Sequence, residues 1–188
     1  GSEGKSTVAM NLALAFAQSE RVLLLEADMR RPSVARNLNL DRSQPGLSEL
    51  LADQADIEDC VTYLEEYNLH VLKTGLIPPD PLRLLSSGAV SELINDLRNS
   101  YDRVIIDGPP ILPVTDSAVL SSHADSLVYV IKSDSTSRRL IKSGLSQLQR
   151  FNAPMLAVPD RRASRRATDY FAGVVVNQLT VSKAERFD

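Results

Sequence analysis

Gly4-Lys5-Ser6-Thr7 places a glycine, a cation and two hydroxyls in consecutive positions. Such a run can hold phosphate. The glycine lets backbone amides approach the anion, Lys5 reaches the outer phosphates, and Ser6 offers a hydroxyl to Mg²⁺. A helix opening at the same point adds the positive end of its dipole. The run has the form of the end of a Walker A loop, whose first glycine position would fall before residue 1. Asp107 directly follows Val104-Ile105-Ile106, the form of a carboxylate that organises the water shell of a phosphate-bound metal. Glu26 and Asp28 follow Val22-Leu23-Leu24-Leu25 with one residue between them, so both point to the same side of an extended chain. Acidic groups there can bind Mg²⁺ indirectly and take a proton from an attacking hydroxyl. The alternative is a strand end with solvated charges beside Arg30 and Arg31.

The elements that must position these residues are legible as patterns. Val8, Leu12, Ala15 and Phe16 make one helical stripe, predicting a helix to about Gln18. Val22 to Leu25 is a short apolar run ending in charge, the mark of a strand buried on both faces. The same form recurs at Val104 to Ile106, Leu127 to Ile131 and Val174 to Val176. Helical patterns stand between them, at Val90, Leu93, Ile94 and Leu97, and at Leu140, Ile141, Leu145 and Leu148. This alternation predicts an α/β fold of three layers, with a mostly parallel central sheet and helices on both faces. Ligands in such sheets bind at the carboxyl ends of the strands, which draws attention to Glu26, Asp28, Asp107 and Asn177. The proline run from Pro78 to Pro81 reads as a rigid extended loop.

The 188 residues suit a single domain spanning 1–188. With 43% hydrophobic residues, 24% charged residues and a net charge of -3, the composition is that of a globular protein. Its slight acidity argues against a nucleic-acid partner. Cys60 is the only cysteine, which excludes an internal disulfide and suggests a reducing setting. No apolar stretch reaches about 18 residues, so none is expected to cross a bilayer, and no signal-peptide pattern occurs. The chain opens within the phosphate-binding motif, as expected of an amino-terminally truncated fragment. Arg161, Arg162, Arg165 and Arg166 form a basic stretch, read either as a solvated face or as a docking or phosphorylation site.

Three ordered motifs carry a family resemblance: Glu3-Gly4-Lys5-Ser6-Thr7, then Glu26-Ala27-Asp28-Met29-Arg30-Arg31-Pro32, then Tyr101 to Pro110. With Pro45 to Leu51, Gly75, Pro78 to Pro81 and Pro113 to Asp116, they make the chain similar to the cytoplasmic domain of bacterial tyrosine autokinases (BY-kinases) of capsule and exopolysaccharide synthesis. That family lies within the larger MinD/ParA-like group of P-loop ATPases that position septa and partition plasmids. The resemblance implies an ATP-dependent tyrosine autokinase, with ATP and Mg²⁺ as cofactors. It implies nucleotide contacts from Glu3, Gly4, Lys5, Ser6, Thr7 and Asn177, the last reading adenine, and a metal site from Ser6, Asp28 and Asp107. The catalytic set would be Lys5, Glu26, Asp28 and Asp107, with Glu26 standing where the family usually has the aspartate that activates the tyrosine hydroxyl. It further implies a location at the inner face of the bacterial membrane, homo-oligomers in the intact protein, and a polysaccharide co-polymerase or fused transmembrane region as partner. The family's tyrosine-rich tail is absent from the sequence, and residues 155–171 form an atypical basic insertion. A second reading stays open: a nucleotide-switched partitioning ATPase, or a regulatory P-loop module that modifies no tyrosine.

Overall fold

The computed structural model describes residues 4–111, 116–131 and 137–150, and the backbone of 174–177. Its elements run in the order α1 (Lys5–Phe16), β1 (Val22–Glu26), three short helices α2 (Val34–Asn37), α3 (Leu47–Leu51) and α4 (Ile57–Cys60), then β2 (Val61–Leu64) and β3 (Leu69–Leu72). There follow α5 (Pro81–Leu85), α6 (Gly88–Ser100), β4 (Arg103–Asp107), α7 (Asp116–Ser121), β5 (Ser126–Val128), α8 (Arg138–Arg150) and β6 (Val174–Asn177).

The six strands form one sheet in the order β2-β3-β1-β4-β6-β5. β1 pairs in parallel with β3 and β4, whereas β2 runs antiparallel to β3, and β6 antiparallel to both β4 and β5. β1, β3, β4 and β5 therefore point one way and β2 and β6 the other, a mixed sheet that is parallel at its centre. β2 and β3 carry no clear apolar alternation, and the sequence patterns do not mark them. Their link is a single 3-10 turn, Glu65–Tyr67, closed by Asn68 at φ 51°. A link that short permits only antiparallel pairing. The strand expected to end at Ile131 ends at Val128, and the helix expected to end at Gln18 ends at Phe16.

β1 shows how the two faces are built. Its five residues are all buried, and alternate side chains enter different cores. Val22 and Leu24 meet Ala9, Ala13 and Ala17 of α1 and its C-cap, with Leu69, Val71 and Ile105 from neighbouring strands. Leu23 and Leu25 join Leu72, Val104, Ile106 and the Val90, Ile94 and Leu97 stripe of α6. Alanines on the inner side of α1 let that helix lie close to the sheet, so that its first turn reaches the carboxyl ends of β1 and β4. The base of α1 is tied to the opposite strand ends. Arg103 lies over the Phe16 ring at 3.9 Å and forms a forked ion pair with Glu20, at 2.6 and 2.8 Å.

Candidate functional site

Gly4 precedes α1 with φ 88°, a left-handed conformation that glycine adopts without steric cost. The chain there turns straight into the helix, placing Lys5 and Ser6 in its first turn, with Thr7 exposed to solvent. Glu3 lies outside the described residues. α1 has no side-chain cap and no acidic residue in its first turn, so its own first turn adds no charge that repels an anion.

The acidic residues converge from two parallel strands. Glu26 and Asp107 are register partners at the ends of β1 and β4. Beyond β1 the chain crosses the end of β4, where the Ala27 and Asp28 amides donate to the Asp107 carbonyl at 2.9 and 3.1 Å. Asp28 is thereby fixed beside Asp107, and its Oδ1 accepts the amides of Arg30 and Arg31 at 3.3 and 3.0 Å.

Asp107 is the electrostatic centre of the group. It is 1% exposed, and among the described residues neither carboxylate oxygen accepts a hydrogen bond of good geometry. Burial pushes its pKa up to about 7; the nearby Ser6 hydroxyl opposes the shift, the charges of Glu26 and Asp28 add to it, and Lys5 opposes it. A buried carboxylate without partners is costly unless another charge completes its surroundings. Asp107, Asp28 and the Ser6 hydroxyl are hard oxygen donors of the kind Mg²⁺ takes, and Mg²⁺ usually keeps several waters and binds through one or two carboxylates plus substrate phosphates. The residues fit that ion. Among the described residues no group of three or more His, Cys, Asp or Glu side chains could hold a metal alone, and phosphate-borne Mg²⁺ does not require one.

Glu26 occupies a different environment from the one its spacing suggested. It is fully buried. Its Oε1 accepts the amides of Ser33 and Val34 at 2.5 and 2.6 Å, and its Oε2 accepts the amide of Thr74 at 3.2 Å. Asn177 is not brought to the site. β6 runs antiparallel to β4 and sets Asn177 opposite Val104, three residues before Asp107 and so about 10 Å away along the strand. The expected position at the carboxyl end of the sheet assumed a parallel last strand; reversing its direction exchanges its ends.

Two supports of the site were not assigned a part by sequence reasoning. Asp116, 1% exposed at the start of α7, receives Arg30 in a fork at 2.8 and 3.2 Å and holds the loop after Asp28. The Lys73-Thr74-Gly75 turn is clamped by α3. Leu47 and Ser48 donate amides to the carbonyls of Lys73 and Thr74 at 2.8 and 2.9 Å, and Glu49 accepts the amides of Gly46 and Leu76 at 3.0 and 2.9 Å. The signal for Glu49 was a glutamate three residues after Gly46, the spacing at which a first-turn carboxylate reaches back to the helix cap. An open cleft lined by Leu50, Ile57, Leu93, Leu97 and Tyr101 lies toward the other ends of the strands.

A family model described as an AAA domain matches residues 1–155. Tyrosine-protein kinase YwqD of Bacillus subtilis is 44% identical over 137 residues, covering 72% of the chain and 57% of the relative. Tyrosine-protein kinase CpsD of Streptococcus agalactiae is 31% identical over 157 residues, covering 83% of the chain and 69% of the relative. Against the longer tyrosine-protein kinase ptk of Acinetobacter johnsonii, at 36% identity, the match covers 78% of the chain and 20% of the relative. The chain thus spans between about a fifth and somewhat over half of the first relatives it matches. Among solved structures, the VpsO kinase domain superposes with a TM-score of 0.80 at 38% identity, covering 83% of this chain and 77% of that one. MinD from Pyrococcus horikoshii, solved with Mg-ADP, superposes with a TM-score of 0.68 at 22% identity and shows a common fold. Matched in sequence over most of its length and carrying its phosphate loop and acidic strand ends in one place, the chain belongs to the bacterial tyrosine-protein kinase family of P-loop nucleotide-binding domains.

Proposed function

We propose that this domain binds Mg-ATP at the Lys5 loop and transfers the γ-phosphoryl group to tyrosine hydroxyls in a polysaccharide-export system. The observation that carries the reading is Asp107, a buried carboxylate that accepts no hydrogen bond of good geometry among the described residues and lies beside the Ser6 hydroxyl, at the ends of strands that face a helix amino terminus. Bound Mg²⁺ would supply charge compensation for the phosphates and for Asp107 together. Lys5 is the cation that meets the outer phosphates and the charge developing on them during transfer. The Gly4 turn and the first amides of α1 cradle the anion. Asp28 is the carboxylate of the Glu26 and Asp28 pair that keeps some exposure, 8% against 0%, and it is the better placed to orient an acceptor hydroxyl.

The names of the relatives support tyrosine as acceptor, and the motifs shared with the capsule and exopolysaccharide autokinases are the ground for that setting. In the intact protein the domain would sit at the inner face of the bacterial membrane, as a homo-oligomer beside a polysaccharide co-polymerase or a fused transmembrane region. Among the described residues no helix is long and apolar enough to cross a membrane. Isothermal calorimetry tests the nucleotide site: Lys5→Ala should weaken Mg-ADP binding at least ten-fold, and equal affinity in the two chains would remove the basis of the reading. Mass spectrometry after incubation with Mg-ATP and a tyrosine-rich peptide tests the transfer, with unmodified peptide as the contrary result.

A further inference from the structure

We infer that Ser33 is a positioning residue for the Ser6 hydroxyl, and that Glu26 acts by holding Ser33 in place and does not accept the proton of the attacking hydroxyl. The inference rests on the Mg-nucleotide reading of the Lys5 site. Ser33 Oγ donates to Ser6 Oγ at 3.0 Å, joining the loop after β1 to the first turn of α1. The backbone of Ser33 is fixed from behind, because its amide and that of Val34 both end on Glu26 Oε1 at 2.5 and 2.6 Å. The other side of the same carboxylate is taken by the Thr74 amide, and the Thr74 hydroxyl donates to the Glu26 carbonyl, both at 3.2 Å. One buried side chain therefore links the end of β1, the start of α2 and the turn after β3.

The consequence follows from the hydrogen-bonding capacity of a serine hydroxyl, one proton and two lone pairs. The Ser33 proton occupies one lone pair of Ser6. The Ser6 proton is then free to turn toward Asp107, whose buried oxygens have no other partner. One lone pair of Ser6 remains, and its direction is set before any cation arrives. A preset donor loses less freedom on binding than a rotating one. A proton acceptor, by contrast, must come within hydrogen-bond reach of the hydroxyl it serves. Glu26 presents no exposed surface and spends three acceptor directions on backbone amides.

The test is thermal melting of the full 188-residue chain at saturating ADP while Mg²⁺ is titrated. Ser33→Ala should raise the Mg²⁺ concentration at half-maximal stabilisation by about three- to ten-fold, the cost of ordering a freely rotating donor on binding. Its melting temperature without ligand should fall by no more than about 4 °C, its affinity for Mg-free ADP should stay at the wild-type value, and Ser33→Thr, which keeps the hydroxyl, should restore the midpoint. Glu26→Gln keeps an acceptor for Ser33 and Val34 but sets an amide group against the Thr74 N–H. The repulsion should lower the melting temperature without ligand and, by pushing the side chain off the Thr74 turn, loosen its hold on Ser33 and raise the Mg²⁺ midpoint. A wild-type midpoint in Ser33→Ala would overturn the inference, as would an equal loss of Mg-free ADP binding. So would a Glu26→Gln chain with wild-type melting and midpoint that had lost only its transfer rate, the signature of a proton acceptor. A wild-type chain gaining no stability from Mg-ADP would instead overturn the nucleotide reading, and this inference with it.

Discussion

Asp107 shows how a site residue can oppose the fold that carries it. With its pKa raised to about 7 mainly by burial, the carboxyl is held protonated in the folded state over a range where it ionises in the unfolded chain. Its stabilising contribution is fully present below about pH 4 and is lost as pH rises through about 7. At pH 8 the charged, unpartnered group costs at most about 4 kcal/mol. Asp107→Asn should therefore raise the melting temperature of the ligand-free chain at pH 8, flatten the decline between pH 5 and 8, and reduce stabilisation by Mg-ADP. A lower melting temperature at pH 8 would mean that Asp107 has a partner the fold depends on. Asp116 is the opposite case, a buried carboxylate with a bidentate partner. Arg30→Ala strands it. Because the Arg30 side chain is 42% exposed, water offsets part of the loss, and destabilisation of about 1–3 kcal/mol is expected in urea unfolding. Adding Asp116→Asn should recover part of it.

At the scale of elements, the site depends on a turn that is itself shaped by a short helix. Gly75 sits at φ 80°, and a Cβ there would lie 2.0 Å from Glu49 Oε2; one on Gly46 would lie 2.4 Å from the Gly75 amide nitrogen. Burial alone would raise the Glu49 pKa, but the amides of Leu76 and Gly46 and the Ser48 hydroxyl outweigh it and hold the carboxyl below its ordinary value. Its contribution is present above the unfolded pKa and falls away as pH drops through the lowered folded one. Gly75→Ala combines backbone strain with displacement of Glu49 and should cost about 2 kcal/mol or more. Gly88→Ala, where a Cβ meets nothing within 4 Å, should stay within about 0.5 kcal/mol. Equal melting of the two variants would mean that the α3 clamp does not matter. Since the Thr74 amide ends on Glu26, Gly75→Ala should also raise the Mg²⁺ midpoint, which Gly88→Ala should not.

At the scale of the whole molecule, the placement of the tyrosines bears on where phosphate can go. Tyr101 precedes β4 and Tyr129 follows β5, and both hydroxyls have their pKa raised by burial. Tyr63 and Tyr67 are exposed, but they belong to the β2 edge and the turn after it, away from the carboxyl end of β4. Tyr170 lies outside the described residues. Transfer needs a hydroxyl in line with the γ-phosphate at near contact distance, and a rigid sheet does not bring these side chains there. Incubation with Mg-ATP should leave Tyr63, Tyr67, Tyr101 and Tyr129 unmodified by mass spectrometry, whereas a chain extended by a tyrosine-rich segment should be labelled in that segment. Phosphate on Tyr101 would contradict this arrangement.

The sequence by itself determined the turn from Gly4 into α1 and the buried central strands, because each is local. A glycine before a helix and carboxylates directly after apolar runs have positions fixed by nearest neighbours along the chain. It also marked α6 and α8 through their apolar spacing. Sequence left open the direction of the last strand, the pairing of Arg30 with Asp116 and the duty of Glu26. Reversal of β6 sends Asn177 to the far end of β4, and no periodicity encodes strand direction. Arg30 and Asp116 are 86 positions apart, and Thr74 is 48 from Glu26. A carboxylate takes its role from whatever donors surround it. Only the packing of β1, α2 and β3 surrounded Glu26 with amides, while Asp107 receives none among the described residues.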